Sequence, residues 1–373
     1  MNRNLSYWET SILLKPFDFI VLGAGLTGKQ VALKIKKKFP SARVAVVDRS
    51  TFSYGASTRN AGFACFGSIS EFVMDAKEYG ETLLLDLISK RHKGIHQLIS
   101  EFGAEKIGFQ ASGGYEMFEN KDEFESVFSQ LNYYNQQLKS CLGINQTFDV
   151  MENHSMNKSY FPKSIFNAHE GQLNSGLLNQ TIADLMHREG VIPLYGINVE
   201  SINASNNSYT LMTNEGFELV TNQLIVCNNA FASELLPELN VVPARGQIIV
   251  TKPIDNLPFN GIYHADKGYI YYRTIDNRLL IGGGRNFYKA EETTSIIETT
   301  DNLRNFLENY IKQFILPNKT FEIDMHWSGI MGMGKEKYPI VKRIDSHLLV
   351  AVRMGGMGVA LGPVVSDELM MLL

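Results

Sequence analysis

The sequence predicts an α/β chain built on a doubly wound sheet, and three observations near its start carry that reading. Residues 19–22 form a short apolar run of the kind that makes a parallel strand buried on both faces. It leads into Gly23-Ala24-Gly25-Leu26-Thr27-Gly28 and then a helical pattern, with Val31, Ala32, Leu33 and Ile35 inward. Lys34, Lys36, Lys37 and Lys38 fall toward the helix C-terminus, where cations meet solvent and the negative end of the dipole. A second strand, residues 43–47, ends at Asp48. Strand, helix and strand of these lengths close one right-handed parallel unit.

The rest of the chain extends this unit. Residues 71–102 read as helical with a break near Gly80, and 122–142 as one amphipathic helix with Phe124, Val127, Phe128, Leu131 and Leu138 on one side and Gly143 past its end. A helix over 177–188 is stopped by Gly190. Short strands follow at 198–203, 209–213, 217–221 and 223–227. Strand patterns dominate 244–284, with a turn at Asp276-Asn277. A helix over 300–316 ends at Pro317. The chain closes with a strand at 347–352, a glycine turn and a helix over 363–372.

Composition excludes several classes. The chain has 373 residues, two to three domain-equivalents. Lys plus Arg total 35 against 39 Asp plus Glu, a net charge of −4 that does not suit a nucleic-acid binder. With 44% hydrophobic and 20% charged residues, the chain has enough apolar surface to fold. Cys65, Cys141 and Cys227 are few and widely spaced, so a disulfide framework is not expected and a reducing, cytoplasmic setting is. The N-terminus lacks a secretory pattern, and no run of about 18 apolar residues offers a membrane span.

Residues 23–28 fit G-x-G-x-x-G. Gly23 permits the turn, Gly25 lets backbone amides approach a pyrophosphate, and Gly28 lets helix and strand pack closely. Asp48, 20 residues after Gly28, is placed to accept ribose hydroxyls. His92 and His96 are four apart but have no third ligand, so no metal is expected. No G-x-S-x-G occurs. Strand alternation puts Tyr269 and Tyr271 on one face and Ile270 and Tyr272 on the other; the residues alone leave sheet packing and a substrate wall both open.

The stretch Gly55-Ala56-Ser57-Thr58-Arg59-Asn60-Ala61-Gly62-Phe63 resembles the second glycine-rich segment of the D-amino-acid-oxidase-like flavoenzymes, which include glycine oxidase, sarcosine oxidase and gamma-glutamylputrescine oxidoreductase. Other segments are similar in the family's order: Gly171 to Gly176, Val226 to Ala230, Pro243-Ala244-Arg245-Gly246-Gln247, Tyr271-Tyr272-Arg273, Trp327 to Met331, and Gly355 to Pro363. The resemblance implies FAD as cofactor. It places Gly23, Gly25, Leu26, Thr27, Gly28, Asp48, Arg49, Ser57, Thr58, Arg59, Asn60, Ala61, Gly62, Val199, Asn228, Gly355, Gly356, Met357 and Gly358 against it. The last glycine turn precedes a helix whose amino end would favour the reduced, anionic flavin.

The resemblance also implies an interleaved chain, with an FAD-binding domain at 17–90, 150–240 and 322–373 and a mixed-sheet substrate domain at 91–149 and 241–321. It implies oxidation of a carbon–nitrogen bond in a small amine or amino-acid-derived substrate, by hydride transfer to flavin, with oxygen as a possible acceptor. Tyr269, Tyr271, Met331 and Arg285 are the expected substrate contacts, and no catalytic residue is assigned. Met331 stands where glycine oxidase has a carboxylate-clamping arginine, and Leu280 where sarcosine oxidase has a lysine. No cysteine follows Cys227, which implies non-covalent FAD. Two alternatives stay open: oxidation of a 2-hydroxy acid or polyol, using a base such as His264 or His326, and a non-catalytic flavin sensor or assembly subunit.

Overall fold

Apolar runs that cannot face water on either side build the first sheet. In a computed structural model that describes residues 5–153, 160–257 and 259–373, its strands lie in the order Ile340–Arg343, Leu348–Val352, Glu218–Val226, Phe17–Leu22, Val44–Asp48, Ile192–Tyr195. The last five run parallel, with Val21 opposite both Val46 and Ile225. Ile20, Leu22, Ala45, Val47, Leu224, Val226 and Val350 fill one core, the continuous apolar pattern of a sheet covered on both faces. The helix Leu26–Lys38 starts at the carboxyl end of the first strand and packs against the final helix, Gly358–Leu372. This is the doubly wound arrangement that the sequence predicts.

The second sheet runs Ile323–Met333, Val242–Thr251, Arg278–Gly283, Ile270–Ile275, Ile262–Ala265, Gly114–Glu116, Lys163–Asn167, Phe148–Glu152. One face carries Ile249, Tyr263, Tyr272, Leu279 and Ile281, covered by Leu303, Leu307 and Tyr310 of the helix Asp301–Tyr310. On the other face His264 lies opposite Tyr271, and Tyr271 opposite Gly282. The expected alternation therefore holds: Tyr272 is fully buried in the core, while half-buried Tyr271 belongs to the opposite face.

The chain divides into two compact units. The first is Met1–Thr58, Gly176–Ala244 and Met331–Leu373; the second is Arg59–Ser175 and Arg245–Ile330. Residues 59–90, 150–175 and 322–330, grouped by resemblance with the FAD-binding segments, belong to the second unit, and 241–244 to the first. No helix of the described residues is long and apolar enough to cross a membrane.

Three element boundaries differ from the sequence reading. Residues 217–227 form one strand, Glu218–Val226, with no break at Asn222, because Thr221 is fully buried and pairs with both Tyr209 and Phe17. Residues 122–142 form two helices, Lys121–Phe128 and Leu131–Leu142. Phe124 packs on Phe118 and Phe161, whereas Tyr134 reaches Phe72, so the two apolar stripes serve different cores, and Phe128 is 43% exposed. The last helix begins at Gly358 rather than Pro363, and Pro363 is buried within it.

Candidate active site

The first glycine turn is held by contacts that any side chain would destroy. A Cβ on Gly28 would lie 1.9 Å from the Gly23 carbonyl oxygen, and one on Gly23 would lie 2.8 Å from the Cys227 backbone. Gly23 also needs φ of +110°, a region that L side chains rarely adopt. Gly25 backs onto Ser57, whose Oγ accepts the Leu26 amide at 2.9 Å. The Asp48 carboxylate accepts from the Ala24 amide at 2.7 Å and the Ser50 amide at 2.9 Å. Each oxygen thus keeps a lone pair for a further donor.

The remaining cofactor candidates of the first unit come from several elements. Leu26 and Thr27 open the first helix and are buried. Arg49 lies 3.7 Å from the Phe231 ring centroid, a cation–π contact. Thr58 Oγ1 donates to the Ser53 carbonyl at 2.7 Å. Val199 begins a strand and packs into the first core. Asn228 stands directly behind Gly23, and its buried Oδ1 has no partner among the described residues. That orphaned acceptor and the side-chain-free turn fit a dinucleotide laid across the ends of the strands.

At the chain's end, Gly355 and Gly356 have φ of +58° and +83°, and Met357 and Gly358 start the last helix. Met331 lies beside this turn, because a Cβ on Gly356 would sit 3.4 Å from its sulfur. The sequence reading missed Asn229, which holds the turn together. Its Oδ1 accepts from the amides of Arg353 at 3.0 Å and Met354 at 3.2 Å, and Gly332 packs against it.

In the second unit, residues 59–62 are pinned from several sides. Arg59 donates to the Ser328 carbonyl at 2.6 Å, and Trp327 Nε1 donates to the Arg59 carbonyl at 3.0 Å. Asn60 Oδ1 accepts from the Gly62 amide and from the Ser175 hydroxyl. Ala61 is buried with Ile248, Val250 and Leu280. The Gly62 carbonyl accepts from Arg273 at 3.1 Å and from the Leu173 amide at 2.8 Å. Arg273 is 4% exposed, and burial lowers its pKa to about 10.

A second buried cluster, unforeseen in sequence, lies next to this segment. Glu170 Oε1 accepts from the Phe66 and Gly67 amides, its Oε2 is 3.7 Å from His264 Nε2, and Cys65 lies within electrostatic reach of His264. Burial pulls the His264 pKa down, but Cys65 and Glu170 outweigh it and hold the imidazole well above its usual value.

The substrate candidates separate by environment. Tyr271 packs edge-on to Phe63, at 5.8 Å between centroids, and Gly282 leaves room for its ring. Burial pushes its phenol up to about 12, partly countered by the charge of Arg285. Tyr269 lies within electrostatic reach of Tyr79. Of the arginines that could hold a substrate anion, Arg59 and Arg273 are bonded to carbonyls, and Arg353 to the Tyr338 carbonyl and Glu336. Half-buried Arg285, just after the Gly282-Gly283-Gly284 run, has no hydrogen bond or ion pair from its guanidinium among the described residues.

The fold and the dinucleotide turn define a class, and comparison with known proteins agrees. A family model described as FAD dependent oxidoreductase matches residues 18–371, and the chain belongs to that family. It is thus an enzyme that uses FAD. The probable oxidoreductase OrdL of Haemophilus influenzae is 24% identical over 371 residues, covering 92% of this chain and 80% of that protein. Glycine oxidase from Geobacillus kaustophilus has a similar structure, with a TM-score of 0.77 at 17% identity over 95% of this chain and 94% of that one. L-proline dehydrogenase from P. horikoshii gives a TM-score of 0.76 at 17% identity over 96% and 93%.

Proposed function

We propose that this enzyme oxidises the carbon–nitrogen bond of an amine that is larger than a simple α-amino acid and carries an anionic group, with non-covalent FAD. The observation that carries the reading is Arg285, a half-buried guanidinium within electrostatic range of Tyr271 and with no hydrogen bond or ion pair among the described residues. A buried substrate anion needs such a charge, and a guanidinium gives the strongest bidentate pair. Met331 supplies an apolar, polarisable stem where glycine oxidase has its clamp, which disfavours a small α-amino acid held in that way.

Bound FAD supplies a two-electron acceptor for hydride. The chain binds the anion through Arg285, packs the substrate on the Tyr271 and Tyr269 rings, and orients the carbon that loses hydride. An amine that enters neutral needs no protein base: its lone pair becomes the second bond of the iminium as the hydride departs. Water then adds to the imine and releases a carbonyl compound and the amine fragment. Oxygen as the final acceptor is part of the same proposal.

Two histidines bear on the rival 2-hydroxy-acid or polyol chemistry, which asks for a base. His264 lies 3.7 Å from Glu170, and that carboxylate and Cys65 raise its pKa against the pull of burial, which disfavours it as a base. His326 lies among Arg304, Asp301 and Glu292, while its neighbour Trp327, on the opposite strand face, reaches Arg59. Both placements support the amine reading. The test is product analysis after turnover with gamma-glutamyl amines, N-alkyl amino acids, 2-hydroxy acids and glycerol phosphate. A carbonyl product with stoichiometric amine release is the expected result, and a keto acid formed from a hydroxy acid alone would reject it.

A further inference from the structure

Lys29 is a buried ammonium in the helix that follows the dinucleotide turn. It occupies the first helix one residue after Gly28, donates its amide to the Gly25 carbonyl at 3.0 Å, and is 1% exposed. Its Nζ lies 2.5 Å from Ser53 Oγ and 3.5 Å from Asn179 Oδ1. Asn179 in turn donates to the Ser57 carbonyl at 2.8 Å, and Ser57 Oγ closes on the Leu26 amide. No carboxylate pairs with Lys29 among the described residues. Asp48 acts on it only through space, and burial lowers its pKa to about 8.

A buried cation with neutral partners only is expensive unless an anion completes the site. The amino end of the same helix is shaped to receive one, since Gly25 carries no side chain and the dipole favours negative charge. The structure assigns Lys29 as the buried counter-charge of the FAD diphosphate. The bonds of Lys29 to Ser53 and to Asn179, and of Asn179 to the Ser57 carbonyl, are then the set that holds residues 53–58 against the helix.

The assignment rests on the diphosphate lying at Gly25 and Leu26, and Asp48→Ala tests that placement separately. Apoprotein is titrated with FAD and with riboflavin, which lacks phosphate, at pH 7 and pH 9.5. Lys29→Met is expected to weaken FAD at least 30-fold at pH 7 and riboflavin less than threefold. Wild-type FAD affinity should fall at least fivefold from pH 7 to 9.5 as the ammonium deprotonates, and the Met variant should show no such slope. Asp48 is the charged group that acts on Lys29; Ser53, Ser57 and Asn179 do not titrate. FAD affinity of Lys29→Met within threefold of wild type, or an equal pH slope in both, would overturn the assignment. If Asp48→Ala binds FAD as well as wild type, the placement itself fails. Should Lys29→Met not fold, the FAD-induced rise in wild-type melting temperature decides. It should be smaller at pH 9.5 than at pH 7, and an equal rise would overturn the idea.

Discussion

The two glycine-rich stretches near the start of the chain reach fixed conformations by different physics. Residues 23–28 are set by excluded volume: each glycine sits where a Cβ would meet neighbouring backbone or a side chain at 1.9–3.0 Å. Residues 59–62 are set by side chains that arrive from far along the chain, Ser175, Arg273, Trp327 and Ser328's carbonyl among their partners. The first device is local and written in a short motif. The second exists only once the second sheet has formed in register. Damage to the first should therefore act on cofactor binding directly, and damage to the second on the stability of its own unit.

The largest expected effect breaks the first stretch. Gly28→Val places side-chain atoms inside the Gly23 carbonyl, which the turn cannot yield without losing its shape. Loss of more than about 4 kcal/mol is expected, read as colourless protein with a collapsed melting temperature. Arg285→Met comes next. It should lower kcat/KM for an anionic amine by about a hundredfold, roughly 2.7 kcal/mol, mostly through KM, and leave FAD affinity unchanged. Steady-state kinetics on amines with and without the anionic group check this, and an equal loss on both kinds would remove Arg285 from the substrate site.

Arg273→Met probes the second stretch. It leaves the Leu173 carbonyl without the guanidinium donor at 2.9 Å, while Gly62 keeps the Leu173 amide. A cost of about 2 kcal/mol is expected from one orphaned buried acceptor, partly offset by removal of a buried charge. Urea denaturation of the apoprotein measures it.

The smallest effect separates the regions by sign of pH dependence. His264 in the second unit has a raised pKa, so its stabilisation is full below the unfolded value near 6.5 and is lost as pH rises through the folded value. Lys29 in the first has a lowered pKa, so its penalty is full below about 8 and is relieved as pH rises toward 10.5. Comparing apoprotein His264→Gln and Lys29→Met with wild type from pH 6 to 10 should give differences of opposite slope. Slopes of one sign would contradict the two environments.

This contrast also explains what the sequence could reveal. The first βαβ unit, Asp48 and the closing glycine turn are legible because their geometry depends on neighbours a few residues away. The tyrosine alternation is legible because period two is a property of one strand. The Cys65–His264–Glu170 cluster joins positions about a hundred residues apart, and no local pattern marks it. Lys29 was hidden for another reason: it reads as one more lysine of a helix whose later lysines are solvated, and only its place after Gly28 could have singled it out. The polar pair Thr221-Asn222 reads locally as a break between two strands, and only the two ladders that Thr221 joins show a single strand.

The central claim, oxidation of an anionic amine at a carbon–nitrogen bond, is tested most directly by anaerobic reduction of the bound flavin. The yellow holoenzyme is mixed, without oxygen, with glycine, D-alanine, gamma-glutamyl amines, N-alkyl amino acids, 2-hydroxy acids and glycerol phosphate, and bleaching of the visible flavin band is followed in time. The account predicts rapid bleaching by one of the larger anionic amines and slow or no bleaching by glycine and D-alanine. Rapid bleaching by a hydroxy acid or glycerol phosphate, with none by any amine, would contradict it.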